Sequence, residues 1–106
     1  EDLEKRLFTT DVIFRIPGKD LQKLLHGIKD REIAVLLKGK KTEFKDRIME
    51  HVSARRGELI KEEFKGIGRI LKSEVEEIDM EFLNTIRQLV NKKEITILEE
   101  NDEFIE

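Results

Sequence analysis

The stretch Ser53-Ala-Arg-Arg-Gly-Glu-Leu-Ile-Lys-Glu-Glu-Phe-Lys-Gly66 reads as one amphipathic helix. Ile60, Phe64 and, just beyond, Ile67 recur at helical spacing and make an apolar side. Arg55, Glu58 and Glu62 fall on the opposite side. Ser53 is a favoured N-cap residue, and Gly66 and Gly68 supply the stop. Such a helix is stable only against neighbours that cover its stripe, and the flanking sequence supplies them.

Downstream, Ser73 with Glu76 three residues on has the form of a capping box. The helix it opens runs to about Asn91, with Val75, Ile78, Phe82, Ile86, Leu89 and Val90 on one stripe. Upstream, Thr42 is the expected cap of a helix facing inward with Phe44, Ile48, Met49 and Val52. Asp30 is the expected cap of a helix holding Ile33, Val35, Leu36 and Leu37. Being apolar on several sides, that helix belongs in the middle of the core. Gly39 ends it, with Lys38 at the negative end of its dipole. Leu21, Leu24, Leu25 and Ile28 keep the i, i+3, i+4, i+7 spacing of a further stripe. Before Pro17-Gly18, Thr9 or Thr10 caps a short helix carrying Val12, Ile13 and Phe14. Ile95-Thr96-Ile97-Leu98 is β-branched, yet a lone strand has nothing to pair with, so an extended tail packed on the helices is expected.

The fold class is therefore all-α: a compact bundle of five or six helices with a short extended C-terminal tail. A chain of 106 residues holds a single modest core. Charged residues make up 42% of it and hydrophobic ones 38%, the balance of a helical domain with a heavily solvated surface. Residues 1–10 read as the linker or hinge end of a preceding segment, 11–98 as the helical domain and 99–106 as an acidic, frayed tail. The chain starts at Glu1 and not at Met, as an excerpt or processed product would. Its 24 acidic and 21 basic residues leave a net charge of −3, which favours neither a nucleic-acid groove nor an anionic membrane. Without cysteine there is no disulfide framework and no thiolate metal site. No apolar run approaches the ~20 residues that cross a bilayer.

Catalysis finds little support. His26 and His51 each sit alone in a helix, and no spacing assembles a nucleophile with a base and an orienting group. Glu62-Glu63 and Glu76-Glu77 are pairs common on solvated helices. Gly66-Ile-Gly68 lacks the lysine and helix start of a phosphate loop. No enzyme activity, metal or cofactor is expected. The basic run Lys38-Gly-Lys-Lys41, with Lys45 and Arg47, is suited to phosphates. The chain has no Tyr or Trp for base stacking, and its phenylalanines mostly lie on apolar stripes, so nucleic-acid binding is not expected. On the charged helix, Arg55–Glu58 and Glu58–Lys61 have the i, i+3 spacing of ion pairs worth ~0.2–0.5 kcal/mol each. A merely solvated face accounts for them without any partner.

The order of several short segments resembles the C-terminal domain family of FliG, the flagellar rotor switch protein. The segments are Leu36-Leu37-Lys38-Gly39, Val52-Ser53-Ala54-Arg55-Arg56, Glu62-Glu63, Gly68, Val75-Glu76-Glu77, Ile86-Arg87-Gln88-Leu89 and Glu94-Ile95-Thr96-Ile97. Together they span about residues 7–98.

The resemblance implies a non-enzymatic part of the rotor ring. A charged ridge there meets the cytoplasmic loop of a MotA-type stator subunit, and the domain works beside other FliG-like domains and rotor switch proteins. It implies a place in the cytoplasm, at the flagellum basal body on the inner face of the membrane, with the membrane met only indirectly. By position, Lys38 and Arg55 take basic places on the ridge and Glu62 and Glu63 take its acidic pair. The family's last ridge arginine falls on Leu71, with Arg69 or Lys72 nearby as substitutes. Leu7, Phe8, Thr9 and Thr10 stand where the family has its hinge, with only Phe8 keeping the aromatic anchor. The family's Gly-Pro turn is Gly68-Arg69 here. These departures fit a diverged member or paralogue, and the alternative role is a helical scaffold that transmits no torque.

Overall fold

Thr10–Arg15 forms a short 3₁₀ helix, and five α-helices follow it in the computed structural model, which describes residues 9–98. They are α1 Gly18–His26, α2 Asp30–Leu37, α3 Thr42–Glu50, α4 Ala54–Ile67 and α5 Lys72–Asn91. No strand occurs among the described residues. The expectations for residues 1–8, Leu7 and Phe8 included, and for the tail 99–106 lie outside them.

α2 is the centre. Ile33, Ala34, Val35, Leu36 and Leu37 are all at most 5% exposed. Five consecutive helical residues turn through more than a full circle, so this helix is covered all round, as its sequence predicts. It packs chiefly against α4 and also against α5, while the 3₁₀ helix touches α3 and α5. Leu21, Leu24 and Leu25 of α1, Phe44 and Ile48 of α3, Ile60 of α4, and Phe82 and Ile86 of α5 join the same core. Arg47 of α3 reaches back to the 3₁₀ segment, donating to the carbonyls of Ile13 at 3.3 Å and Ile16 at 2.5 Å.

Helix starts follow the sequence in two places and depart from it in three. Thr9 caps the 3₁₀ helix through its hydroxyl, which accepts from Asp11 N–H at 3.3 Å. Ser53 caps α4, its Oγ accepting from Arg56 N–H at 3.1 Å. Asp30 and Thr42, by contrast, are the first helical residues of α2 and α3, and the caps are Lys29 and Lys41, which make no side-chain cap bond. The Ser73–Glu76 box does not form either. α5 begins two residues earlier than that pattern requires, at Lys72, and Glu74 accepts from the N–H of the capping residue Leu71 at 3.4 Å. Leucine offers no acceptor in return, so only half of a box exists.

α5 ends in a Schellman motif: Glu94 N–H bonds Leu89 C=O and Lys93 N–H bonds Val90 C=O, both at 2.9 Å. Lys93 takes the left-handed position at φ 63°. The chain then runs extended, as expected, and docks on the 3₁₀ helix and α1. Ile95 is buried, Thr96 N–H donates to Asp20 at 2.9 Å, and Leu98 exchanges two bonds with Arg15.

Between α4 and α5, Gly68 has φ 61° and ψ −130°, close to the first corner of a type II′ turn. Side chains other than hydrogen clash there. Gly68→Ala is expected to destabilise the fold by about 1–3 kcal/mol, measured as a fall in the urea midpoint. A change within error would mean that the turn is not held in this conformation.

Candidate functional site

α4 has two sides of different character. Inward, Ile60 is fully buried and Phe64 and Ile67 pack against the core. Outward, Arg55, Glu58, Lys61, Glu62 and Glu63 are exposed. Among the described residues none of these five charges enters an ion pair within 4.0 Å; the pairs that form are Lys40–Asp79 and Arg56–Asp30, both between helices. The Arg55–Glu58 and Glu58–Lys61 pairs expected from spacing do not close. Arg55 and Glu62 lie about two turns apart, roughly 10 Å along the axis, on one face. Past the helix end, Arg69, Leu71 and Lys72 are exposed too, Leu71 at 67%.

Two cations fix this helix from within. At its N-terminal end Arg56 donates from Nε to Asp30 at 2.6 Å, from Nη1 to the Leu25 carbonyl at 2.8 Å, and from Nη2 to the Ile28 carbonyl. One guanidinium thus joins the start of α4 to the end of α1 and the start of α2. The geometry suits a planar fork of donors, which an ammonium lacks. Asp30, placed one residue inside α2, also complements that helix's positive end. At the C-terminal end of α4, Lys38 donates to the Gly68 carbonyl at 2.8 Å, with its ammonium 4.4 Å from the Phe64 ring centre. Of the five candidate ridge residues, then, Arg55, Glu62, Glu63 and Arg69 face solvent, and Lys38 is half-buried and engaged.

The basic run 38–47 is largely used inside the fold. Lys40 pairs with Asp79 at 3.1 Å and bonds the Leu36 carbonyl at 3.0 Å. Lys45 lies 5.3 Å from the Phe64 ring centre, and Arg47 holds the 3₁₀ helix. It is Lys40, not Lys38, that meets the exposed carbonyls ending α2. His51 closes α3: its Nδ1 is 2.9 Å from the Arg47 carbonyl, and its ring lies so near Gly18 that a Cβ there would meet Nε2 at 2.9 Å. His26 is exposed at the end of α1. No group of three or more His, Asp or Glu is gathered at one point among the described residues. Cavities of about 70 Å³, between α2 and α5, and 160 Å³, beside Val90 and Ile97, fall below the ~300–1,000 Å³ of ligand pockets. No helix among the described residues is long and apolar enough to cross a membrane.

Arg56 and Asp30 are the pair that sequence reasoning passed over. A signal existed: Arg56 precedes Ile60, Phe64 and Ile67 at i, i+4, i+8 and i+11, so it extends the apolar stripe by a turn. A cation on an inward stripe requires a partner. Of the hinge positions, Thr9 is the 3₁₀ cap and Thr10 that helix's first residue.

Fold and surface together define a class: an all-α helical domain with one charged helix held at both ends and turned outward. The family profile described as FliG C-terminal domain matches residues 1–97. The flagellar motor switch protein FliG of Thermotoga maritima is 30% identical over 97 residues, 92% of this chain and 29% of that protein. The protein of the same name from Borreliella burgdorferi is 26% identical over 105 residues, 99% of this chain and 30% of that one. Among solved structures, full-length FliG from Aquifex aeolicus superposes with a TM-score of 0.77 at 22% identity, over 84% of this chain and 28% of that one. A FliG fragment from H. pylori gives 0.81 at 18% identity, over 88% of this chain and 44% of that one. This chain belongs to the FliG C-terminal domain family. It spans about three-tenths of the length of the curated relatives it matches.

Proposed function

We propose that this chain is the stator-facing part of a flagellar rotor switch protein and passes torque through the outer face of α4. One observation carries the reading: Arg55, Glu58, Lys61, Glu62 and Glu63 stand exposed without ion-pair partners among the described residues, on a helix clamped at both ends. Family membership supplies the context. The proposed contact set is Arg55, Glu62 and Glu63, with Arg69 beyond the helix end and Lys38 at its edge. The partner is the cytoplasmic loop of a MotA-type stator subunit, met at the basal body on the inner face of the membrane. Other FliG-like domains and rotor switch proteins complete the assembly. The hinge, in this reading, is Leu7 to Thr10 at the end of a linker over 1–10, which presents the 11–98 domain to the stator in one of two orientations.

The physics suits the task. Exposed ion pairs contribute only ~0–1 kcal/mol each and are screened over ~8 Å at physiological salt. They orient a passing partner and release it quickly. A rigid helix under them transmits the push to the bundle. Separate reversals, Arg55→Glu and Glu62→Lys, made in the full-length protein, are expected to abolish or severely reduce swimming while the protein stays folded. Normal swimming in both variants would remove the ridge from the account.

Leu71 favours a second reading. An apolar side chain 67% exposed next to the ridge, where the family has a charge, suits a scaffold that binds by apolar contact and carries no torque. Under that reading the same reversals leave swimming intact and Leu71→Arg changes assembly.

A further inference from the structure

We infer that Lys38 acts on the ridge from inside, as the positioning residue that fixes the C-terminal end of α4, and does not itself contact the partner. The inference rests on the ridge reading and gives one of its residues a different task.

The end of α4 is intrinsically weak. Gly66 sits within the last turn and Gly68 just after it, and glycine lowers helix stability through backbone entropy. The last carbonyls of a helix have no partner inside it. At the other α-helix ends the capping residue's N–H bonds back into the helix; at Gly68 no such bond forms. No backbone hydrogen bond at the cap therefore holds the direction in which the chain leaves α4. Lys38 meets this point from α2. Its Nζ donates to Gly68 C=O at 2.8 Å, and the same ammonium lies over the face of Phe64, 4.4 Å from the ring centre. A cation is doubly favoured there, by the helix dipole and by the ring. Lys38 is itself the residue that ends α2, the most buried helix of the molecule. The strut thus runs from the rigid centre to a loose end.

What hangs on that end is the working surface. Glu62 and Glu63 are one to two turns before Gly68, and Arg69 is the next residue after it. Fixing the Gly68 carbonyl fixes where Arg69 leaves the helix relative to the acidic pair. An ammonium bonded to a carbonyl and covering a ring is also poorly placed to meet a second partner.

The test uses three variants of this chain and one measurement that needs no partner. Lys38→Met keeps the hydrocarbon stem on Phe64 and loses the bond. Lys38→Arg keeps a donor. Lys45→Met removes the other ammonium near the ring, which makes no bond to Gly68. Amide hydrogen exchange over residues 64–70 is expected to be about tenfold faster in Lys38→Met, with Lys38→Arg protected and Lys45→Met unchanged. Unchanged exchange in Lys38→Met would overturn the inference, as would equal loosening in Lys45→Met. In cells, the second arm is charge suppression. A reversal on the stator loop that restores swimming to Arg55→Glu is expected to leave Lys38→Glu unrescued. Rescue of Lys38→Glu by such a reversal would make Lys38 a contact residue and also overturn the inference. If Arg55→Glu itself needs no rescue, the ridge reading falls, while the exchange result still decides the strut.

Discussion

Replacing Arg56 by alanine is expected to remove about 3 kcal/mol of folding stability, although the residue sits beside the exposed Arg55. Its side chain is only 22% exposed and donates to three oxygens, one on α1, one on α2 and one in the loop between them. A hydrogen bond to a charged group contributes about 1.5–3 kcal/mol, and truncating one partner leaves the others wanting. Full burial would put the loss at about 3–5 kcal/mol; partial solvent access at Asp30, 31% exposed, lowers that. For a domain near this size the loss corresponds to a fall in Tm of roughly 15 °C. Arg56→Lys keeps the charge but has no fork to span Asp30 and both carbonyls, so about half of the loss is expected to remain. Arg55→Ala, one residue earlier and solvent-facing, should stay within about 0.5 kcal/mol of the parent. Thermal unfolding of the three proteins is the check. Equal melting of Arg56→Ala and Arg55→Ala would contradict the clamp.

The second large effect is Ile60→Ala. Ile60 is fully buried on the stripe by which α4 meets the central helix. Removing three carbons from such a site costs the transfer term plus the cavity, about 2–5 kcal/mol, whereas Ile60→Val costs about 1 kcal/mol. The site has little freedom to collapse, because α2 beneath it is packed on every side. Urea unfolding should show the midpoint fall in that order with an unchanged slope. A loss below 1 kcal/mol for the alanine would mean that α4 is not seated on α2 as described. The surface charges depend on this seat: a ridge on a helix that lifts away cannot transmit a push.

Much of this architecture was legible in the sequence, and the reasons are specific. The stripes of α1, α4 and α5 and the all-round apolar run of α2 name residues that are buried or packed against the core, Val75 excepted, because periodicity reports which side of a helix faces inward. Ser53 was legible as a cap, and Thr9 as one of two candidates with Thr10, because each precedes a helix start with no competing use for its side chain. Asp30 was not: the same carboxylate that suits a cap is taken by Arg56, 26 positions away, and a long-range partner leaves no mark in local spacing. The Ser73–Glu76 pattern failed because Glu74, nearer to the true start, reaches Leu71 first. The basic run 38–47 looks like a phosphate patch in one dimension, and folding turns Lys38 and Arg47 toward carbonyls of other segments and Lys40 toward the Asp79 carboxylate. The ridge divides along the same line. Exposure of Arg55, Glu62 and Glu63 follows from the helix wheel, whereas Arg69 lies in the turn beyond α4 and the inward turn of Lys38 depends on where Gly68 and Phe64 come to lie.

The most direct measurement of the central claim is a charge swap across the proposed contact. Binding of the full-length protein to its own stator loop is measured for the parent, for Arg55→Glu and for Glu62→Lys, each against the natural loop and a loop of reversed charge, at two salt concentrations. The account predicts weaker binding for each reversal, recovery on the oppositely charged loop, and a difference that shrinks as salt rises. Binding that ignores both reversals in folded protein, or losses that no loop charge recovers, would contradict a charged ridge on α4 as the torque surface.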